Sequence, residues 1–298
     1  MHTAVGASIV RLWERSGAPS LFVVGTGKNV GKTVTMRAIY HALLAAGTLP
    51  ALASIGRDGE AVDIGDAGEK PRLWLEPGTV VATARGVLPR SPGSEMLDLS
   101  DLPTAAGMLV YARVRYAAHY ELIGPPSASA MRAVVHRLQA FAPRVLVDGA
   151  IDRVAALAGG EDAVVIATGA SAASTIGEAV DGIRALAVRL TTPAPEDGEE
   201  VLEIGGALTP GRVAELLRKR ETRAVVVRDP TQIALTGKAA LAAFAQLRIR
   251  CRRPLRVIAA TVSSAGRDRA FEPRELVRAV AAATGLPTFD VFAAEQAA

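Results

Sequence analysis

The chain has 298 residues, half of them hydrophobic, which is enough for one elaborated α/β domain or two lobes around a large core. Its net charge of +4 demands no anionic partner, and an aromatic content of 4% leaves little for stacking on nucleic-acid bases. One cysteine, Cys251, excludes an internal disulfide framework and fits a reducing, cytoplasmic compartment.

The first element expected is a short amphipathic helix. Residues 5–10 are apolar and are followed by Arg11, Glu14 and Arg15, a pattern unlike a signal peptide. The uncharged stretch 163–177 is too short and too rich in Ser, Thr and Gly to span a bilayer.

Next comes Leu21-Phe22-Val23-Val24, a buried strand by its continuous apolar run, leading into GTGKNVGKT at residues 25–33. Strand, Gly-rich turn and helix together form a phosphate-binding loop, built here from Gly25, Thr26, Gly27, Lys28, Asn29, Val30, Gly31, Lys32, Thr33 and Val34. The glycines let backbone N–H groups turn inward around phosphate oxygens. Lys32 reaches the outer phosphates, and the Thr33 hydroxyl can ligate Mg2+. The usual pattern wants Gly at position 26, where Thr26 stands; the glycine comes one place earlier, at Gly25. Two of the five lysines, Lys28 and Lys32, fall in this loop, whereas positive charge elsewhere is written mostly as Arg. Ala38, Ile39, Ala42, Leu43 and Ala46 then recur at helical spacing, and Gly47 is a natural stop.

SIGRDGE, residues 54–60, comes after the second strand. Asp58 could complete a metal site or sense the γ-phosphate, and Arg57 could contact an anionic substrate; a solvated turn explains both equally simply. Residues 57–127 break the alternation. Leu73-Trp74-Leu75 and Val80-Val81-Ala82 flank Glu76-Pro77-Gly78-Thr79 and suggest a hairpin; residues 108–114 and 120–123 suggest a second strand pair. This reads as a β-rich insertion. Residues 124–127, Gly-Pro-Pro-Ser, give a rigid entry to the next helix.

Apolar runs at 145–147, 164–167, 224–227, 257–260 and 289–292 read as strands. Helical patterns at 130–141, 175–186, 213–220 and 274–283 lie between them, with Pro210 and Pro273 where a first helical residue tolerates proline. The fold expected is α/β: a three-layer, doubly wound, mainly parallel sheet of the P-loop NTPase kind with a β-rich insertion. A nucleotide-binding core is expected over 1–195 and a C-terminal α/β extension over 196–298, on the same sheet. The acidic, proline-rich segment 192–200 marks the boundary.

RVLVDGA, residues 144–150, ends an apolar strand in Asp148 and Gly149. A carboxylate there faces the same crevice as the phosphates and suits a second Mg2+ element; the alternative is an ordinary Asp-Gly turn. Thr168-Gly169-Ala170-Ser171 and Thr261-Val262-Ser263-Ser264 end two more strands. The first either lines the crevice or caps the next helix, and the second stands where a base could be recognised. Arg248, Arg250, Arg252, Arg253 and Arg256 form a basic run that reads as a solvated edge, not a nucleic-acid patch, since aromatics are lacking. The four histidines have no zinc spacing, and no G-x-S-x-G elbow is present.

With these motifs in hand, GTGKNVGKT resembles the GTxTxVGKT loop of dethiobiotin synthetase and the cobyrinic acid amide synthases, a branch of P-loop NTPases that also holds MinD and ParA. The resemblance covers roughly residues 20–190. It implies ATP and Mg2+ as ligands, Lys32 on phosphate, and Thr33, Asp58 and Asp148 around the metal. Lys32, Asp58 and Asp148 would then carry the catalysis. It also implies a site near a two-fold axis, hence a homodimer. The absence of an NKxD-type guanine motif favours ATP over GTP.

This chain departs from those enzymes at three points. Dethiobiotin synthetase carries a substrate lysine after strand two, where residues 53–57 have none. The MinD and ParA signature lysine would fall at Gly27, with Lys28 one place off. Where dethiobiotin synthetase carries VEGAGG this chain has VDGA, residues 147–150, and the Gly-rich acidic loop that follows is replaced by Ile151-Asp152-Arg153. Taken together, GTGKNVGKT, SIGRDGE, EKPRLWLEPGTVVATA, VLVDGAIDR and VIATGA are similar to the ATPase subunits of lysine 5,6-aminomutase reactivases. That similarity implies an ATP-driven chaperone whose partner is a cobalamin enzyme or a second subunit. An ATP-dependent ligase and a nucleotide-gated dimer of the ParA kind are the alternatives; the displaced signature lysine and the lack of a membrane-binding amphipathic tail or nucleic-acid patch weigh against the second, and neither a membrane nor a nucleic acid is expected as a partner.

Overall fold

The computed structural model describes residues 3–55, 72–88, 93–149, 157, 162–266 and 268–292. Among them runs a nine-stranded sheet flanked by helices on both faces. Its seven parallel strands, in spatial order, are β14 (Thr288–Asp290), β13 (Arg256–Ser263), β9 (Ala163–Gly169), β1 (Ser20–Gly25), β8 (Val145–Asp148), β2 (Ala51–Ser54) and β4 (Val80–Ala84). Two antiparallel strands, β6 (Gly107–Val114) and β5 (Ser94–Thr104), extend the sheet beyond β4. The molecule is therefore α/β with a large, mostly parallel central sheet.

Burial explains the order. β1, β2, β4 and β9 are buried at every residue, as strands covered on both faces must be. One face packs against α1 (Thr3–Ser16) and α2 (Lys32–Ala45), through Ile9, Trp13, Met36, Ile39 and Leu43. The other packs against α3 (Ala128–Gln139), α4 (Ile176–Leu190) and α7 (Pro273–Thr284), through Met131, Leu138, Ile183, Leu190 and Leu276. Caps fix where several helices start. Ser127 accepts a bond from Ala130 N–H, Thr175 from Glu178 N–H, and Pro273 stands in the first turn of α7.

The insertion is β-rich but is wired differently from the expected hairpins. The turn at 76–79 forms, with Gly78 at φ 89°, yet the strands on either side of it part. β4 is wholly buried and joins β2 in parallel and β6 antiparallel. β3 (Leu73–Leu75) turns Trp74 outward and pairs with β7 (Ala118–Tyr120) as a separate two-stranded ribbon. A strand buried at every residue gains most inside the large sheet, so it leaves its sequence neighbour. β5 has no counterpart among the expected strands, because Glu95, Asp98, Ser100, Asp101 and Pro103 interrupt its apolar pattern. Those residues suit a sheet edge, where charge, bulges and proline deter further pairing.

Residues 201–251 do not join the main sheet. β10 (Val201–Glu203), β11 (Ala224–Val227) and β12 (Ile249–Cys251) make a three-stranded parallel sheet with α5 (Pro210–Arg218) and α6 (Gly237–Gln246). β13 and β14 return to the main sheet. The acidic segment before β10 meets the basic run: Arg248 and Arg250 pair with Glu199, and Arg252 pairs with Glu203.

Candidate functional site

The Gly-rich sequence of residues 25–33 sits where β1 ends, at the carboxyl edge between β9 and β8. Helices leave this edge in opposite directions, α2 after β1 to one face and α4 after β9 to the other. A crevice at the carboxyl ends of parallel strands, where connections diverge, is where α/β sheets receive ligands.

Residues 26–31 turn tightly between β1 and α2. Asn29 has φ 57° and Gly31 has φ 85°, the left-handed region that Asn and Gly tolerate. Gly31 caps α2, and its carbonyl accepts from Thr35 N–H at 2.8 Å. The first-turn N–H groups of Lys32, Thr33 and Val34 consequently lack helical partners and form the positive end of the helix dipole. At Gly27 space is the constraint: a Cβ there would stand 3.0 Å from Ala172 Cβ. A signature lysine at position 27 would press its Cβ against that alanine.

Lys32 folds back over the loop, and its Nζ donates to the Gly27 carbonyl at 2.6 Å. Burial pushes its pKa below the usual lysine value, and the negative charge of nearby Asp148 partly opposes that shift. Asp148 is the last residue of β8, in register with Val23 of β1 and Ser54 of β2. Lys32 and Asp148 are thus close enough to interact, and Thr33 follows Lys32 in the first turn of α2. Thr33 and Lys28 are partly or fully open to solvent, and Val30 is buried beneath the loop.

Asp58, Arg57 and the Ile151-Asp152-Arg153 segment lie outside the described residues. Motifs alone leave the roles of the other strand ends open, and the geometry orders them. Thr26 Oγ1 and Thr168 Oγ1 share a hydrogen bond at 2.9 Å, and Thr35 bonds Thr261 at 2.9 Å. These tie the loop to β9 and the base of α2 to β13. Thr26 is therefore more than a missing glycine: its hydroxyl anchors the loop sideways. Thr35 is not among the residues that motifs single out; a polar residue at helical spacing with Ala38, Ile39 and Ala42 is the available signal.

Mg2+ suits this set of residues. It is commonly held by one or two protein oxygens, with phosphate oxygens and water completing six positions. A hydroxyl at the start of α2 and a carboxylate at the end of β8 provide that number. Among the described residues no cluster of three or more His, Cys, Asp or Glu is gathered for a metal held by protein alone. Nor is any described helix long and apolar enough to cross a membrane.

The comparisons with known proteins add no relative. No family model, characterised protein or solved structure matches this chain.

Proposed function

We propose that this chain is a P-loop nucleoside triphosphatase that binds Mg-ATP on residues 25–34 and hydrolyses it. One observation carries the reading: a Gly-rich turn with Lys32 folded over it opens α2 at the carboxyl edge of a parallel sheet, beside Asp148. The α2 N-terminus and the inward N–H groups of the loop cradle the β-phosphate. Lys32 exchanges the Gly27 carbonyl for the outer phosphate oxygens. Thr33 and Asp148 would hold the metal, with Asp58 as a further ligand. Bound there, Mg2+ supplies positive charge against the phosphate oxygens. Lys32 and the loop N–H groups oppose the charge that develops on the transferred phosphoryl group, and this preorganised positioning is most of the catalysis.

A specific observation favours coupling to a protein partner over a small-molecule ligase. Among the described residues the large hydrophobic side chains most open to solvent are Leu49, Trp74, Met96, Leu99, Met108 and Tyr116. Met96, Leu99 and Met108 lie on β5 and β6 of the antiparallel extension, and exposed apolar side chains gathered on one region mark interaction surfaces. An ATPase subunit of a cobalamin-aminomutase reactivase, the narrower resemblance of the sequence, has such a partner.

The test is phosphate release by the purified chain in Mg-ATP. Basal release should be slow, fall by about tenfold or more in Thr33→Val, and rise on adding the partner enzyme. Release that requires a small carboxylic acid or amine, and ignores any protein, would assign the chain to the ligases instead.

A further inference from the structure

The proposed loop takes phosphates and metal, and what aims it is a separate matter. α3, α4, α5 and α7 each begin at a side chain that accepts from a first-turn N–H: Ser127, Thr175, Thr209 and Glu272. α2 begins at Gly31, which has no side chain to do so. A helix end whose N–H groups are to meet phosphate cannot be pinned by a cap that uses them. Its placement has to come from contacts further along.

Those contacts lie on β13. Gly31 closes on Ser263: a Cβ on the glycine would stand 3.1 Å from Ser263 Cβ. One turn on, Thr35 Oγ1 and Thr261 Oγ1 share a hydrogen bond at 2.9 Å. Gly31 and Thr35 lie one above the other on the helix, and Ser263 and Thr261 share one face of the strand. The spacings agree, since four helical residues advance about 6 Å and two strand residues about 6.6 Å. Thr261 is in register with Ala167 of β9, and Ala167 with Gly25. The bond therefore stands level with the point where β1 gives way to the loop. Thr35 is 0% exposed and Thr261 1%, so neither hydroxyl can exchange its partner for bulk water.

Apolar contact alone would hold α2 down and leave it free to roll; a directional bond fixes its rotation. Thr33 stands midway between Gly31 and Thr35, about 200° round the helix from each. A roll of the helix on the sheet would swing the Thr33 hydroxyl relative to Asp148. We infer that Thr35 and Thr261 are positioning residues of the phosphate loop: their bond sets the rotation of α2, and so the direction in which Thr33 presents its hydroxyl to Mg2+. The inference rests on the Mg-ATP reading above.

The experiment measures ATP affinity by calorimetry, with Mg2+ and with the metal chelated, beside the melting temperature. The proteins are the parent, Thr35→Val, Thr261→Val, the double variant Thr35→Val/Thr261→Val, and Thr261→Ser. Each single valine leaves a buried hydroxyl without its partner and should lower the melting temperature; the double variant removes both and should return it close to the parent value. A pair that only fills space would recover its ligand properties along with its stability. A positioning pair should not. In the double variant the gain in ATP affinity that Mg2+ confers should stay about tenfold below the parent's, while affinity in chelator is unchanged. Thr261→Ser keeps the hydroxyl and should keep the gain, so it and Thr261→Val make the same comparison even where the double variant folds poorly. Thr33→Val should lose the gain by itself, and adding Thr261→Val to it should cost nothing more, because the pair acts through Thr33. A parent-like Mg2+ gain in the double variant or in Thr261→Val would overturn the assignment and leave the loop intact. Failure of the parent to bind ATP would remove the phosphate loop itself, and this inference with it.

Discussion

Lys32 shows how a side chain proposed to serve a ligand can burden the fold. Its ammonium is largely withdrawn from water, held by one carbonyl, and its pKa is lowered chiefly by that burial. A lysine whose folded pKa lies below its unfolded value burdens the fold whenever it is charged. The burden is full below the folded pKa and fades as pH climbs toward 10.5, the unfolded value. Lys32→Met keeps the apolar stem and removes the charge. At pH 7 it should melt at or above the parent temperature, and the difference should shrink as pH approaches 10. A loss of several degrees at pH 7 would mean that the contacts with Gly27 and Asp148 hold the loop together. Residue types at the site were legible in the sequence because Gly, Lys and Thr at this spacing have few other uses. What could not be read was contact across strands. The Thr26–Thr168 bond joins residues far apart in the chain, and so does the Thr35–Thr261 bond.

At the scale of elements, α1 secures the face on which α2 lies. Trp13 is 1% exposed, donates through its indole N–H to the Ala18 carbonyl at 2.8 Å, and lies under the Arg144 guanidinium at 5.3 Å. Trp13→Ala should cost about 3–5 kcal/mol in urea unfolding, as for other buried aromatics cut to alanine. A cost below about 1 kcal/mol would show that α1 is not part of the cooperative core. The long apolar strands and the capped helices were plain in the sequence, since periodicity and Pro or Thr caps report locally. The antiparallel extension was not. Its turn residues are legible, but pairing is decided by which strand can bury both faces. β4 left β3 for the main sheet, and β5, with Glu95, Asp98 and Asp101 along it, was tolerable only at an edge.

For the whole molecule, the mostly parallel main sheet and the small parallel sheet share α4. Ile183 and Leu190 face the main core, while Ala185 faces the small sheet of β10, β11 and β12. The acidic segment 192–200, which reads as a boundary in the sequence, is drawn against the arginines of β12 by charge. Composition could not separate a flexible linker from an ion-paired one. The carboxyl edge of the main sheet nonetheless gathers residues from β1, β8, β9, β13 and β14 around one loop, and the proposed nucleotide site rests on that convergence. Titration of Mg-ATP into the parent chain and into Lys32→Ala tests it most directly. The parent should bind one nucleotide per chain, with affinity lowered by about tenfold or more in the variant. Equal affinity in the two proteins, or no binding to the parent, would contradict the account.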